Sequence, residues 1–344
     1  MRYSGIGGQA VMEGVMMRNG DKYAVAVRKP DKEIAIEVKA AGTTDDIWHK
    51  LPIIRGVVAF VESLVIGLST LMLSASYFED EEESKKDMTK EEQAKKEKME
   101  KAEMGGTVVL SFVLALAIFF ALPYFLSNLL SGVIKSNILL AFIEGVVRIT
   151  LFLAYIYAIS FMEDIKRTFM YHGAEHKCIN CIEHGLPLNV ENVRKSSKEH
   201  KRCGTSFIVI VFVISVFIFM FINFEAVWMK LIARLLLIPV IAGISYEFLR
   251  IAGRSESKIV DILSKPGLLV QNLTVREPDD DMIEVGIASV EAVFDWKAFL
   301  EETKEETRKY PRYNKEIARK QSSNNKEIAR KQPSDNKGVM DEVL

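Results

Sequence analysis

The segment from Val108 to Ser131, VVLSFVLALAIFFALPYFLSNLLS, decides the fold class. It carries no charge, and as a helix it exceeds the roughly 20 residues needed to cross a hydrocarbon core about 30 Å thick. Ile138 to Phe161, Phe207 to Ile222 and Trp228 to Leu249 follow the same composition. The third of these is short, and gains length from Gly204-Thr205-Ser206 and from Asn223. Segments in lipid must satisfy their own backbone groups, so these are read as helices, with Pro123 marking a kink in the first. The expected fold class is an α-helical polytopic membrane protein: four clear spans, one further interfacial or re-entrant apolar helix, and a small cytosolic α+β portion.

Charge sets the orientation. The whole chain has a formal net charge of −1, which points to no nucleic-acid partner. The loop between the second and third spans carries Lys166, Arg167, Lys177, Arg194, Lys195, Lys198, Lys201 and Arg202, whereas the two short connections carry only Lys135 and Lys230. Basic loops stay in the cytoplasm, so both termini are expected inside, in a multi-pass protein of the cell (inner) membrane. Met1 to Gly20 lacks the apolar core and cleavage-type ending of a signal peptide. Three cysteines in a cytosolic loop (Cys178, Cys181 and Cys203) do not form a disulfide framework.

The N-terminal segment reads differently. Glycines from Gly5 to Gly14 permit tight turns or a close backbone approach. No Gly-Lys-Ser/Thr ending follows, so a glycine-bent strand is favoured over a phosphate loop. From Lys22 to Val38, Tyr23, Val25 and Val27 alternate with small residues and Pro30-Asp31 makes a turn, predicting a hairpin with one buried face. Leu51 to Tyr77 is long enough to cross but holds Arg55 and Glu62 between charge-rich flanks. A crossing there would put the N-terminus outside. A helix lying in the interface, or dipping in and returning at Gly67, keeps both flanks in the cytoplasm.

The chemistry concentrates in His172-Gly173-Ala174-Glu175-His176, an H-x-x-E-H pattern like that of inverted zinc proteases. Two imidazoles four apart share a helix face about 6 Å apart at Cβ, a chelating spacing, with Glu175 placed as a base for metal-bound water. A third ligand is needed; His200 or Cys203, just before a span, comes first and Glu191 next. A closed site of Cys178, Cys181, His176 and Cys203 needs no catalysis, and histidines that merely pack at the membrane surface need no metal. Gly173 weakens the helix by about 1 kcal/mol relative to Ala.

Ionisable residues inside the apolar segments form a second constellation: Glu144 with Arg148 four apart, Arg55 with Glu62, Arg234, and Glu247 with Arg250. Charges at membrane depth are paired or line a cavity. They imply either a polar interior or pairing that fixes helix packing.

Taken in order, Gly7-Gly8-Gln9-Ala10-Val11-Met12-Glu13-Gly14-Val15-Met16-Met17-Arg18, Arg55-Gly56-Val57, Tyr171-His172-Gly173-Ala174-Glu175-His176-Lys177, Arg202-Cys203-Gly204-Thr205-Ser206-Phe207, Ser245-Tyr246-Glu247 and Arg276-Glu277-Pro278-Asp279-Asp280 resemble the bacterial YqhQ family. The resemblance runs from the first residues to near Phe299. The family is filed as a domain of unknown function, with some members labelled predicted metal-dependent enzymes. That implies a metal role for His172, Glu175, His176, His200 and Cys203 and names no substrate. Lys201 stands where the family pattern has proline, and Cys178 and Cys181 lie outside that pattern.

These readings divide the chain into a β-containing cytosolic segment (1–50), the interfacial or re-entrant helix (51–78), a charged linker (79–104), a transmembrane hairpin (105–162), a cytosolic His/Cys loop (163–204), a second hairpin (205–252), a cytosolic segment (253–300) and a disordered repetitive tail (301–344). The expected function is a metal-dependent, zinc-type hydrolase with Glu175 as catalytic base and His172, His176, His200 and Cys203 around a divalent ion. The alternative is a non-catalytic membrane scaffold or assembly factor, binding another membrane protein or a second copy as well as the lipid bilayer. A transport role ranks third, because four spans show no inverted repeat.

Overall fold

The computed structural model describes residues 2–42, 46–78, 90–222, 224, 226–255 and 257–309. The C-terminal repeat, most of the tail, and 79–89 of the charged linker lie outside the described residues, as does Asn223. The architecture is that of an α-helical polytopic membrane protein with a small antiparallel sheet at its N-terminus. Four helical stretches are long and apolar enough to cross a membrane: Ile54–Ser76, Gly105–Gly132, Asn137–Ile159 and Val227–Gly253. Gly204–Met220 is a shorter apolar helix. Ile54–Ser76 is thus long enough to cross, and Gly204–Met220, at 17 residues, is the short one, as the sequence indicates for both.

The helices are α1 (Ile54–Ser76), α2 (Lys90–Leu116), α3 (Leu122–Asn128), α4 (Asn137–Ile159), α5 (Glu163–Glu183), α6 (Val190–Lys195), α7 (Gly204–Met220), α8 (Val227–Arg254), α9 (Lys258–Thr274), α10 (Asp280–Val293) and α11 (Trp296–Lys309). From Lys90 the charged linker continues without a break into the first span. Between α2 and α3, Ala117–Ala121 forms a turn of π-helix. Pro123 explains that turn: it has no N–H for the Phe119 carbonyl four residues earlier. Arg148 supplies the missing donor, its Nε reaching Phe119 O at 2.9 Å. The same guanidinium binds Ser215 Oγ (2.9 Å) and Glu144 (2.7 Å), joining α4 to α7. Glu144 and Arg148 pair as their spacing predicts. Arg55 and Glu62 do not pair with each other: Arg55 meets Glu247 on α8, and Glu62 meets Arg18 and His49.

Four strands, β1 (Gly7–Val11), β2 (Gly14–Asn19), β3 (Lys22–Arg28) and β4 (Ile34–Ala40), form an antiparallel sheet in chain order. Gln9 pairs with Met16, and Met16 with Val25. Both faces are covered. Val11, Met16, Tyr23, Val25 and Val27 pack beneath Ile66, Leu73, Tyr77 and Phe78 at the end of α1. Val15, Met17 and Ala26 face a second core with α5 and α10. The small residues that alternate along β3 are therefore buried too, Ala24 and Ala26 completely, because their size lets α10 approach the sheet.

α1 runs straight through Gly67, which is not a bend. A side chain there would collide with Gln9. The first half of the helix packs on spans, with Gly56 against Gly243 and Phe60 5.8 Å from Phe207. The second half lies on the sheet, where Ser74 Oγ accepts the Met12 N–H and Tyr77 binds Glu37. Its opposite face exposes Val61, Leu64, Val65, Leu68, Leu71 and Met72 at helical spacing. α9 is likewise unbroken at Pro266-Gly267. Gly267 serves close packing there, since a Cβ would lie 3.0 Å or less from Ser206.

Candidate metal centre

α5 follows the α4 span after three residues and is buried along its second half. Gly173 does not break it, because the residue is required small: a Cβ would run into the Arg276 carbonyl. The Arg276-Glu277-Pro278 segment, held by Arg276 N–H on Phe169 O at 2.9 Å, lies directly on this turn. That packing fixes the face on which the two histidines sit. Their rings stand 4.4 Å apart, edge to face.

Each ring is oriented through Nδ1 by a backbone carbonyl: His172 by Thr274 O at 3.0 Å, His176 by Lys198 O at 2.6 Å. A carbonyl only accepts, so both Nδ1 atoms carry the proton and both Nε2 atoms present lone pairs. His172 Nε2 lies 3.3 Å from Cys203 Sγ. Cys203 is the N-cap of α7, its sulfur accepting the Thr205 N–H at 3.3 Å. The loop's two ends thus converge. Donor atoms of His172, His176 and Cys203 all lie within 4.8 Å of one another and could hold a metal ion.

Electrostatics suit the same purpose. Burial pushes the His176 pKa down to about 4, so its ring is neutral at physiological pH. Burial alone would raise the Cys203 thiol, but His176 and the Thr205 N–H at the helix N-terminus turn the balance and lower it. Glu175 is fully enclosed, and burial raises it to about 7 against the opposing pull of His172 and the Gly8 N–H. One of its oxygens, Oε2, has no hydrogen-bond partner. Gly8 on β1 must be glycine, since a Cβ would stand 2.8 Å from Glu175 Cγ. The N-terminal glycines therefore serve a close backbone approach, to a side chain of this centre.

His200 is buried beside the group, its ring 5.4 Å from that of His176. Its Nε2, however, faces Glu183 Oε2 at 3.9 Å, too long for a hydrogen bond. Its backbone N–H and C=O are both taken by Gln271. Glu183 is also bound by Arg202 (2.6 Å) and by the Ser4 N–H (2.9 Å). Burial raises its pKa, but Arg202 and the Ser4 N–H overcome that and hold it at about 2. Cys178 packs against Gly286 of α10 and the Cys181 sulfur donates to the Pro187 carbonyl, so neither joins the group. His184 turns back on Asn180 O, and Glu191 pairs with Lys195 on the surface of α6. Thr274 and Lys198 went unassigned in sequence; both act through backbone carbonyls, which leave no side-chain signal.

Fold and centre together define a polytopic helical membrane protein with a buried His-His-Cys group at the border of its spans. Residues 51–296 match the family described as protein of unknown function (DUF1385). The chain is 36% identical over 305 residues to the uncharacterized protein YqhQ of Bacillus subtilis (strain 168), covering 87% of this chain and 95% of that one. The chain belongs to this family. No solved structure matches it.

Proposed function

We propose that this protein is a metal-dependent hydrolase of the cell membrane whose centre faces the cytoplasm. One observation carries the reading: two imidazoles locked through Nδ1 turn their free Nε2 atoms toward a thiol of lowered pKa, with an enclosed carboxyl beside them. His172, His176 and Cys203 would hold a divalent ion, zinc by the match of imidazole and thiolate donors. Such an ion, when bound, supplies Lewis acidity and an acidified water. His200 supports the group from beside it, through its contact with the His176 ring. Glu175, with a pKa of about 7, can take a proton from water and return it to a leaving group at the same pH.

In this reading both termini are cytoplasmic and α1 lies in the inner interface. Its sheet-bound second half and its exposed apolar stripe support that placement. Labelling of Asp21→Cys tests it, since all three native cysteines are buried. Modification from the cytoplasmic side is expected, and modification from outside overturns the topology.

Elemental analysis of the intact purified protein tests the centre. One divalent ion per chain is expected, lost in His172→Ala and His176→Ala. A metal-free protein that keeps its cellular role after Glu175→Gln would overturn the hydrolase in favour of a scaffold.

A further inference from the structure

A second charged group lies among the spans, away from the His-His-Cys centre. Arg148 stands at the midpoint of α4, about 16 Å from either end. Arg234 lies on α8, seven residues from its start, and Lys230 one turn nearer that start. Glu144 holds both guanidiniums, Arg148 at 2.7 Å and Arg234 at 2.6 Å. All three of these side chains are at least nine-tenths buried.

The charges do not balance. Guanidinium does not release its proton in proteins, so two positive charges share one carboxylate. Arg148 has all three nitrogens engaged, by Phe119 O, Ser215 Oγ and Glu144. Arg234 does not: only Nη1 is hydrogen-bonded among the described residues, and its buried Nε has no partner. Aromatic faces soften the excess without cancelling it. Phe219 lies 4.9 Å from the Arg234 guanidinium and 5.2 Å from that of Arg148, while Tyr124 is 5.1 Å from Arg234. Lys230 Nζ sits 5.9 Å from the same Tyr124 ring. From the Val227 end of α8 inward, Lys230, Arg234 and Arg148 thus form a line of cations that meets, among the described residues, the single acid Glu144. An uncompensated cation at this depth is unfavourable, and what would complete Arg234 is a group with negative charge and acceptor oxygens.

We propose that Arg234, backed by Arg148 and approached past Lys230, binds a phosphate oxyanion at the Val227 end of the spans. A phospholipid headgroup in that leaflet and free inorganic phosphate offer the same chemistry. This site is independent of the proposed hydrolase and does not need its metal.

The test uses the full chain, purified in detergent and stripped of lipid. Thermal unfolding is followed while inorganic phosphate, or phosphatidylglycerol against uncharged diacylglycerol in mixed micelles, is added. One of the two phosphate sources is expected to raise the midpoint and to bind at one per chain, which also identifies the source. Arg234→Gln should weaken binding by about tenfold or more. Lys230→Gln, at a part-exposed side chain, should weaken it about threefold. Glu144→Gln removes the competing carboxylate, so binding should tighten and the phosphate-dependent rise in midpoint should grow. If neither source binds wild type or Glu144→Gln, or if Arg234→Gln binds as tightly as wild type, the cluster is a self-contained clasp and the proposal fails.

Discussion

Arg148 Nε donates to the carbonyl of Phe119, the acceptor that Pro123 leaves without its helical partner. The proline's missing donor and the buried cation are therefore one device, joining the first two spans. Arg148→Lys keeps the charge but cannot reach Phe119, Ser215 and Glu144 together, and should cost at least about 2 kcal/mol in detergent unfolding. Pro123→Ala gives Phe119 a helical donor. It should recover part of that loss, with a coupling of about 1 kcal/mol in the double-variant cycle. Strict additivity would break the link.

At Gly173 helix propensity and packing predict opposite signs. Propensity alone favours Gly173→Ala by about 1 kcal/mol. The Cβ would meet the Arg276 carbonyl, however, in a segment pinned to Phe169 O and Ser160 O. Overpacking of this kind costs about 1–3 kcal/mol, so the variant is expected to be less stable overall. Because Thr274 precedes that segment and orients His172, metal retention should also fall. A variant as stable as wild type, with full metal, would show that Gly173 is not needed small.

The apolar helices and the N-terminal sheet were legible because composition and periodicity are local signals. The His172/His176 spacing was legible for the same reason. The choice between His200 and Cys203 was not, since it depends on how 196–203 folds back over α5. There Lys198 O takes His176 and Gln271 takes the His200 backbone, which leaves Cys203 to enter the group. Arg55 and Glu62, grouped in sequence because both lie in one apolar segment, stand about two helical turns apart and do not pair. Their partners, Glu247 and Arg18, come from distant segments that only tertiary packing reveals.

That geometry makes a contrast between neighbours. Cys203→Ser replaces a thiolate donor by a hydroxyl, and zinc occupancy should fall at least about tenfold. His200→Gln removes a ring whose Nε2 faces Glu183 instead. Zinc should bind it within about threefold of wild type, as befits a supporting residue. Equal loss in both variants, measured by competition with a chromogenic chelator, would make His200 a ligand.

The last prediction concerns pH and the metal-free protein. Burial raises Glu175 from 4.5 to about 7, so between those values the folded chain keeps a proton that the unfolded chain has released. Stability from this group therefore falls as pH rises. His176 works in reverse: pushed from 6.5 down to about 4, it is neutral when folded and charged when unfolded, and stability rises with pH. Burial lowers His200 in the same direction. Glu183, held at about 2, loses its contribution only as pH falls below its unfolded value of 4.5. Near pH 5 to 6 the contributions of His176 and Glu175 nearly cancel, and the lowered His200 leaves a net rise of stability with pH. Glu175→Gln keeps an acceptor for the Gly8 N–H and removes the opposing group. Its slope over this range should exceed that of wild type by about one proton, and above pH 7 it should be the more stable protein. Denaturant unfolding in the presence of a chelator at a series of pH values measures both slopes; parallel curves would mean that Glu175 is already ionised in the folded chain.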